Sequence, residues 1–279
     1  MKRSELNIAL CADANYYEPL ETCMASILFH SGNSTNELNF FVVDGGLSEP
    51  QKVTLVDTLE NLSQDFRCDV TVTILTLKEE LFKGLPTLNG SYTTYARLLL
   101  ANLIDKPWVI WVDADIICTK DLSPLYRNYQ SKEAHISVLG AMDSKVRTFS
   151  YENTETQLQE KGKFNLDLNQ TYINAGFILI DLALWRSQRT AASLLDWAIK
   201  FSNDLIRWNQ TIVNWNLANQ TAIIEDSYNV LTMASIPGNL PTKQLNYHFA
   251  GSFKPWNPGL PKWQYPDYAL CHSWGRLSM

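Results

Sequence analysis

Residues 108–115, WVIWVDAD, form an apolar run that ends in two aspartates one residue apart, Asp113 and Asp115. A run this apolar is predicted to be a strand buried on both faces, because a strand with one face in water would alternate with polar residues. Two carboxylates at its end repel each other and lose hydration unless a cation lies between them. The pair therefore predicts a divalent metal at the end of a buried strand. Aspartate is also common in turns, and a turn is the plain alternative for any one of these residues. Asp44, followed by Gly45 and Gly46, is read as a turn only.

The same strand pattern recurs upstream. LNIALCAD (6–13) is a β-type run ending in Asp13, and in YEPLETCMASILFHS (17–31) Leu20, Cys23, Met24, Ile27 and Leu28 have helical spacing. ELNFFVVDGG (37–46) is a second strand, and Ser48 with Pro50 starts a helix that runs to about Leu62. CDVTVTIL (68–75) is a third strand, TTYARLLLANLI (93–104) a helix, and the acidic run the fourth strand. Strands alternating with helices predict an α/β fold, a Rossmann-like, mostly parallel central sheet flanked by helices. Ligands collect at the carboxyl ends of such strands, which is where Asp13 and the Asp113/Asp115 pair stand. Farther along, AHISVLGAMD (134–143) is a strand and TYINAGFILIDLALW (171–185) an apolar run broken at Asn174-Ala175-Gly176. SQRTAASLLDWAIKF (187–201) and RWNQTIVNWNLAN (207–219) are helical, and the polar stretch 151–170 reads as a mobile loop. With no repeat and no linker, a single domain over 1–279 is expected.

Composition narrows the partners. A net charge of −6 and a pI near 5.3 disfavour nucleic acid, so any phosphate must be met locally by a metal or a single base. Nine tryptophans are consistent with a surface that holds flat, hydroxylated ligands such as sugars, as well as with core packing. The cysteines at 11, 23, 68, 118 and 271 are scattered without CxxC spacing, which indicates neither a disulfide framework nor a zinc site and favours a reducing compartment. No run reaches the ~18 apolar residues of a spanning helix. Of the N-x-S/T sequons, at Asn33, Asn61, Asn89, Asn169, Asn209 and Asn219, that at Asn209 falls in a segment assigned below to the site, so a cytoplasmic protein is expected.

Six segments in chain order carry a family resemblance: CADANYYEPL (11–20), YTTYARLLL (92–100), WVDADII (111–117), YINAGFILIDLALWR (172–186), WNQTIVNW (208–215) and HFAGSFKPW (248–256). Together they resemble glycosyltransferase family 8, retaining enzymes similar to bacterial lipooligosaccharide galactosyltransferases and, distantly, glycogenin. The resemblance implies a GT-A fold with a nucleotide-binding half (1–121) and a donor-sugar and acceptor half (122–279). It implies a UDP-sugar donor held through Mn²⁺, with Mg²⁺ as the substitute ion, and transfer of a hexose, galactose first and glucose next, as an α-linkage. By its motifs Asp113, Asp115 and His248 are metal ligands, and the ion neutralises charge on the departing UDP. Asp13 meets the uracil, Tyr16 stacks on it, Asn15 reaches the ribose, and Cys11 and Ala12 line the same strand end. Thr94, Arg97 and Ala114 adjoin the donor. Asn174 and Ala175 line the donor sugar, Asp143 holds its hydroxyls, Lys254 meets the diphosphate, and Gly251 lets the backbone approach it.

Two departures from the family pattern carry consequences. Where many members read Asp-Gln-Asp, this chain has Asn209, Gln210 and Thr211, so the segment offers no carboxylate nucleophile. Same-face attack is then expected, with Gln210 stabilising the oxocarbenium-like state and Asn209, able to donate as well as accept, altering which donor or acceptor is read. The closing PWNPGLPKWQYPDYALCHSWGRL is aromatic but lacks the Lys/Arg run that holds relatives to the inner membrane. A glycan acceptor on protein or oligosaccharide thus stands beside one on lipid, with peripheral membrane contact left open. Two rival readings are a sugar-nucleotide-binding relative without catalysis and a haloacid-dehalogenase-like phosphatase. The latter needs its D-x-D on the first strand.

Overall fold

The computed structural model describes residues 4–87, 91–129, 135–150, 166–204, 207–232, 244–251, 254 and 256. Strand β1 (Glu5–Ala12) is buried along nearly its whole length. It pairs in parallel with β2 (Glu37–Asp44), which pairs in parallel with β3 (Asp69–Thr76). On its other side β1 pairs in parallel with β4 (Trp108–Val112). The sheet continues through β7 (Ile173–Asp181) and β6 (Val138–Met142) to β8 (Thr221–Ile223), giving the order β3-β2-β1-β4-β7-β6-β8. β7 runs antiparallel to both its neighbours, and the other pairings are parallel.

Alternation along each central strand sends side chains into two helical layers. Leu6, Ile8 and Leu10 of β1 with Ile110 and Val112 of β4 pack on α1 (Tyr17–Ser31) and α2 (Glu49–Ser63), together with Leu125 and Tyr126 of α4 (Ser123–Tyr129). Ala9, Val109, Trp111, Ile178 and Ile180 face the other layer. That layer holds α3 (Leu100–Leu103), α5 (Leu182–Gln188), α6 (Thr190–Lys200) and α7 (Trp208–Leu217). Each fully buried Leu or Ile contributes about 1.5–3 kcal/mol relative to exposure, which is why these strands read as apolar throughout.

Several expected boundaries shift for physical reasons. The fourth strand stops at Val112; Asp113 begins a tight turn in which Ile116 N donates to its carbonyl at 3.0 Å, and the chain resumes as β5 (Ile116–Cys118). The expected helix at 93–104 is a 3-10 turn over Thr93–Leu99 followed by one turn of α-helix. The segment Asn174-Ala175-Gly176 stays within β7, but the pairing with β6 shifts register across it, between Gly140↔Ile178 and Met142↔Ile173, and the buried Asn174 side chain bonds to Asp143, Gly176 N and Asn229. The expected helix at 187–201 is two helices joined at Arg189, whose φ of 55° is left-handed. Residues 151–165 of the expected loop lie outside the described residues.

Asp44 is the turn residue it was expected to be: its Oδ1 accepts from Gly46 N at 2.9 Å and Leu47 N at 2.8 Å, and Oδ2 pairs with Lys52 at 2.6 Å. Ser48 also caps α2 as expected, in a reciprocal box with Gln51 whose Nε2 reaches Ala14 O at 3.1 Å, tying the helix start to the loop after β1. Ser48→Ala should lower unfolding free energy by about 1 kcal/mol with an unchanged denaturant slope, checked by urea denaturation.

Candidate active site and metal centre

The chain builds outward from β1 to β3 and then returns to set β4 on the opposite side of β1, so the strand order reverses between β1 and β4. Open α/β sheets form a crevice at such a point. A cavity of about 1050 Å³ opens there, with Tyr16, Arg97, Asp115, Gln210, His248 and Lys254 in its wall.

Asp113 is oriented before any ligand arrives. Trp111, two residues earlier on the same strand face, donates Nε1–H to Asp113 Oδ1 at 2.7 Å, and Arg97 Nη2 donates to the same oxygen at 2.7 Å. The guanidinium carbon lies 4.6 Å from the Trp111 ring centroid. With Oδ1 held, Oδ2 is the atom nearer His248, 3.9 Å from Nε2. Arg97 is only 4% exposed, and a second guanidinium nitrogen donates to Ala175 O. Burial lowers the pKa of Arg97, against the opposing pull of Asp113. Arg97 is thus a buried group tied to the strand end and to β7, not a surface ion pair.

Asp115 faces the other two partners. Its Oδ1 is 3.3 Å from His248 Nε2 and its Oδ2 is 2.5 Å from Lys254 Nζ. Burial opposes the charge on Asp115, yet His248 and Lys254 outweigh it and hold the carboxyl well below the usual range. Burial likewise opposes charge on Lys254, and Asp115 outweighs it to push the ammonium pKa up. Asp115 and Lys254 are 139 positions apart. They meet because β10 (Asn246–His248) pairs antiparallel with β5 in the register His248↔Ile116, and Phe249 N donates to Asp115 O at 2.9 Å.

One ligand atom each from Asp113, Asp115 and His248 lies within 4.8 Å of the others. Two carboxylate oxygens and one imidazole nitrogen make a mixed set suited to a divalent ion of the Mn²⁺ type. Gly176 leaves the room for it: a Cβ there would stand 2.3 Å from His248 Cε1 and 2.8 Å from Asp113 Oδ2. The residues present fit a divalent cation.

The facing wall is amide-rich. Asp143 Oδ1 accepts from Lys145 N at 2.9 Å and Val146 N at 3.0 Å, and Oδ2 from Asn174 Nδ2 and Gln210 Nε2, each at 3.0 Å. Burial works against its charge, and these donors prevail, holding the carboxyl below its ordinary range. Gln210 Oε1 accepts from Ala175 N at 3.1 Å, so both ends of its amide are held. Asn209 donates to the Thr94 hydroxyl, and its buried Oδ1 has no partner among the described residues.

Of the other residues singled out in the sequence, Asn15, Thr94, Asp143, Asn174, Asn209 and Gly251 line the same cavity. Cys11, Ala12, Asp13, Ala114 and Ala175 do not. Asp13 instead caps the turn after β1, accepting from Asn15 N at 2.9 Å and Tyr16 N at 3.1 Å. Burial pushes the Cys11 thiol pKa far up, and Ala175 contributes its backbone. Gly251 has a φ of 99° and a Cβ there would meet nothing within 4 Å, so the backbone conformation itself calls for glycine. Sequence reasoning missed Trp111 and Gly176, together with Lys145, Arg207 and Trp256 in the cavity wall. Trp111 was findable from the two-residue strand period; Trp256 lay inside a quoted motif and meets Tyr16 edge-on at 5.7 Å.

The model of Glycosyl transferase family 8 matches residues 7–258, and the chain belongs to this family. It is 23% identical over 266 residues to glycosyltransferase GlyF of Streptococcus pneumoniae, covering 90% of this chain and 57% of that protein, so it spans little more than half of GlyF. It is 26% identical to the lipopolysaccharide 1,3-galactosyltransferase of Salmonella typhimurium, covering 97% of this chain and 74% of the relative. Among solved structures, galactosyltransferase LgtC in complex with donor and acceptor sugar analogs superposes with a TM-score of 0.77 at 22% identity, over 96% of this chain and 95% of that one. This establishes the GT-A fold. The phosphatase alternative is not met, since its D-x-D belongs on the first strand and here follows the fourth. Among the described residues no helix is long and apolar enough to cross a membrane.

If Asp113 and His248 hold a divalent cation, Gly176→Ala should weaken binding of Mn²⁺, used as the probe, at least about tenfold while leaving the thermal midpoint within a few degrees, because the new methyl group would displace these two side chains rather than a core contact. Titration of Mn²⁺ followed by electron paramagnetic resonance, beside a melting curve, checks this.

Proposed function

We propose that this chain is a retaining, Mn²⁺-dependent glycosyltransferase that moves a hexose, galactose first and glucose next, from a UDP-sugar to a hydroxyl of a glycan acceptor as an α-linkage. The observation that carries the reading is the Asp113/Asp115/His248 set within 4.8 Å, at the strand-order reversal, in one cavity with Lys254 and Gln210. The bound ion would supply charge neutralisation at the diphosphate.

The remaining work falls to side chains. Tyr16, with Trp256 set against it, offers an aromatic face to the base, and Asn15 lies beside it for the ribose. Lys254, within reach of the same ligand oxygens, meets the diphosphate as a point charge. Asn209, whose Oδ1 has no partner among the described residues, presents an acceptor to a hydroxyl of the donor sugar, and Asn174 and Asp143 form the hydrogen-bonded wall beside it. Gln210, held by Ala175 and Asp143, keeps one Oε1 lone pair free for the positive charge that develops at the anomeric carbon. Asp143 is a carboxylate beside Gln210, but four donors occupy its lone pairs, which makes it a poor nucleophile. In same-face attack the anomeric carbon–oxygen bond to UDP breaks and the acceptor oxygen bonds to the same face. The acceptor proton passes to the departing phosphate oxygen. Cys11 and Cys68 are free thiols, in keeping with the cytoplasmic location proposed here, and a lipid-linked acceptor would add peripheral contact at the inner membrane.

Release of UDP from a panel of UDP-sugars, with Mn²⁺ and with chelator, tests the reading. Metal-dependent turnover of one sugar is the expected result, whereas saturable UDP binding without turnover, acceptors included, would favour a sugar-nucleotide-binding relative. Asp115→Ala should lower kcat/KM about a thousandfold, roughly 4 kcal/mol of transition-state stabilisation. Gln210→Ala should lower kcat while donor KM stays within about threefold; a change confined to KM would make Gln210 a binding residue.

A further inference from the structure

Asn229 neither lines the cavity nor lies in any of the sequence motifs, yet it joins the two halves of the site. It follows the 3-10 turn Asp226–Tyr228, immediately before β9 (Val230–Leu231), and is 3% exposed. Its Oδ1 lies 3.0 Å from His248 Nδ1, and its Nδ2 donates to Asn174 Oδ1 at 2.9 Å.

The polarity of this chain follows from a backbone group whose identity is fixed. Gly176 N–H can only donate, so the Asn174 atom that it meets at 2.9 Å is the carbonyl Oδ1. The Asn229 atom facing that oxygen must then be a donor, Nδ2, and the atom turned to His248 must be the acceptor Oδ1. His248 Nδ1 therefore carries a hydrogen, and the ring nitrogen directed at Asp113 and Asp115 is Nε2. At the other end, fixing Asn174 Oδ1 leaves its Nδ2 to donate to Asp143 Oδ2, the oxygen that also receives Gln210.

We infer that Asn229 is a positioning residue with two separable arms: Oδ1 fixes the imidazole so that Nε2 is available as a metal ligand, and Nδ2 fixes Asn174 and, through Asp143, Gln210. Ligating imidazoles are held through the second ring nitrogen in this manner, and loss of such a partner costs about 10- to 100-fold in metal affinity or activity. The inference rests on reading Asp113, Asp115 and His248 as the metal ligands.

The two arms respond differently to substitution. Alanine at 229 removes both. Aspartate keeps the acceptor for His248 Nδ1–H but sets a second acceptor against Asn174 Oδ1, so only the metal arm survives. Binding of Mn²⁺ alone, read from the electron paramagnetic resonance signal of the free ion, and kcat at saturating Mn²⁺ separate them. Asn229→Ala should weaken Mn²⁺ binding about 10- to 100-fold, and Asn229→Asp should keep it within about threefold of wild type while lowering kcat by about tenfold or more. Should the alanine variant fail to fold, the split between affinity and kcat in the aspartate variant still decides the matter. Wild-type affinity in Asn229→Ala, or a loss in Asn229→Asp as large as that in alanine, overturns the role. His248→Ala serves as the reference. If it binds Mn²⁺ as wild type does, the ligand set is wrong and the inference falls with it; if it binds weakly while Asn229→Ala binds normally, only the role of Asn229 falls.

Discussion

Two carboxylates at the mouth of a buried sheet are an electrostatic burden that the surrounding structure is arranged to offset. Asp113 is held by Arg97 and the Trp111 indole, Asp115 by Lys254 and His248, so each carries its own positive or donor partner. Each partner is itself buried and would be costly without the carboxylate it faces. The result is a preorganised pair in which one oxygen of each aspartate is committed to the protein or near it and the other is directed to the ring of His248. The metal reading of the site rests on the convergence of one atom each from Asp113, Asp115 and His248 within 4.8 Å, more than on the D-x-D spacing alone.

The fold supplies the partners by two different routes. Arg97 comes from the 3-10 turn packed under β4, a short way back in the chain, while His248 and Lys254 come from far downstream through the β5–β10 register. A slip of one residue in that register would turn His248 to the opposite face and remove it from the site. The main sheet then carries a second set of polar groups on β7, where Asn174 and the Ala175 backbone project toward Asp143 and Gln210. Buried polar groups in such a sheet are tolerable only when satisfied, and among the described residues of this network only Arg97 Nε and the acceptor Asn209 Oδ1 lack a partner. That unpartnered acceptor sits in the segment that departs from the family pattern.

The architecture was legible because burial writes itself into composition. β1 and β4 are buried along most of their length and read as largely apolar, β2 alternates between buried and partly buried residues, and the capping box at Ser48 needed only neighbouring residues. The metal-ligand candidates were legible through a resemblance carried by short motifs. Less was visible where geometry depended on what a residue packs against. Asp13 stands at the strand end that the sequence placed it on, and that its Oδ1 also caps the turn after β1 follows from the local backbone path. The apolar run breaks at Asn174-Ala175-Gly176 in the sequence and the β6–β7 pairing shifts register there in the fold, but local propensity does not show which partners satisfy an asparagine in mid-sheet.

The sequence by itself determined the class of fold, the strand end that carries the carboxylates, and the family. Each is set by local periodicity or by motifs within a few residues, and periodicity is a direct consequence of which face is buried. Only the tertiary structure decided that Trp111 and Arg97 share one oxygen of Asp113, that Gly176 leaves space beside His248, and that Asn229 links the imidazole to Asn174. Those contacts join residues distant in the chain, and their donor and acceptor directions depend on sheet register and on backbone groups that look alike in every sequence.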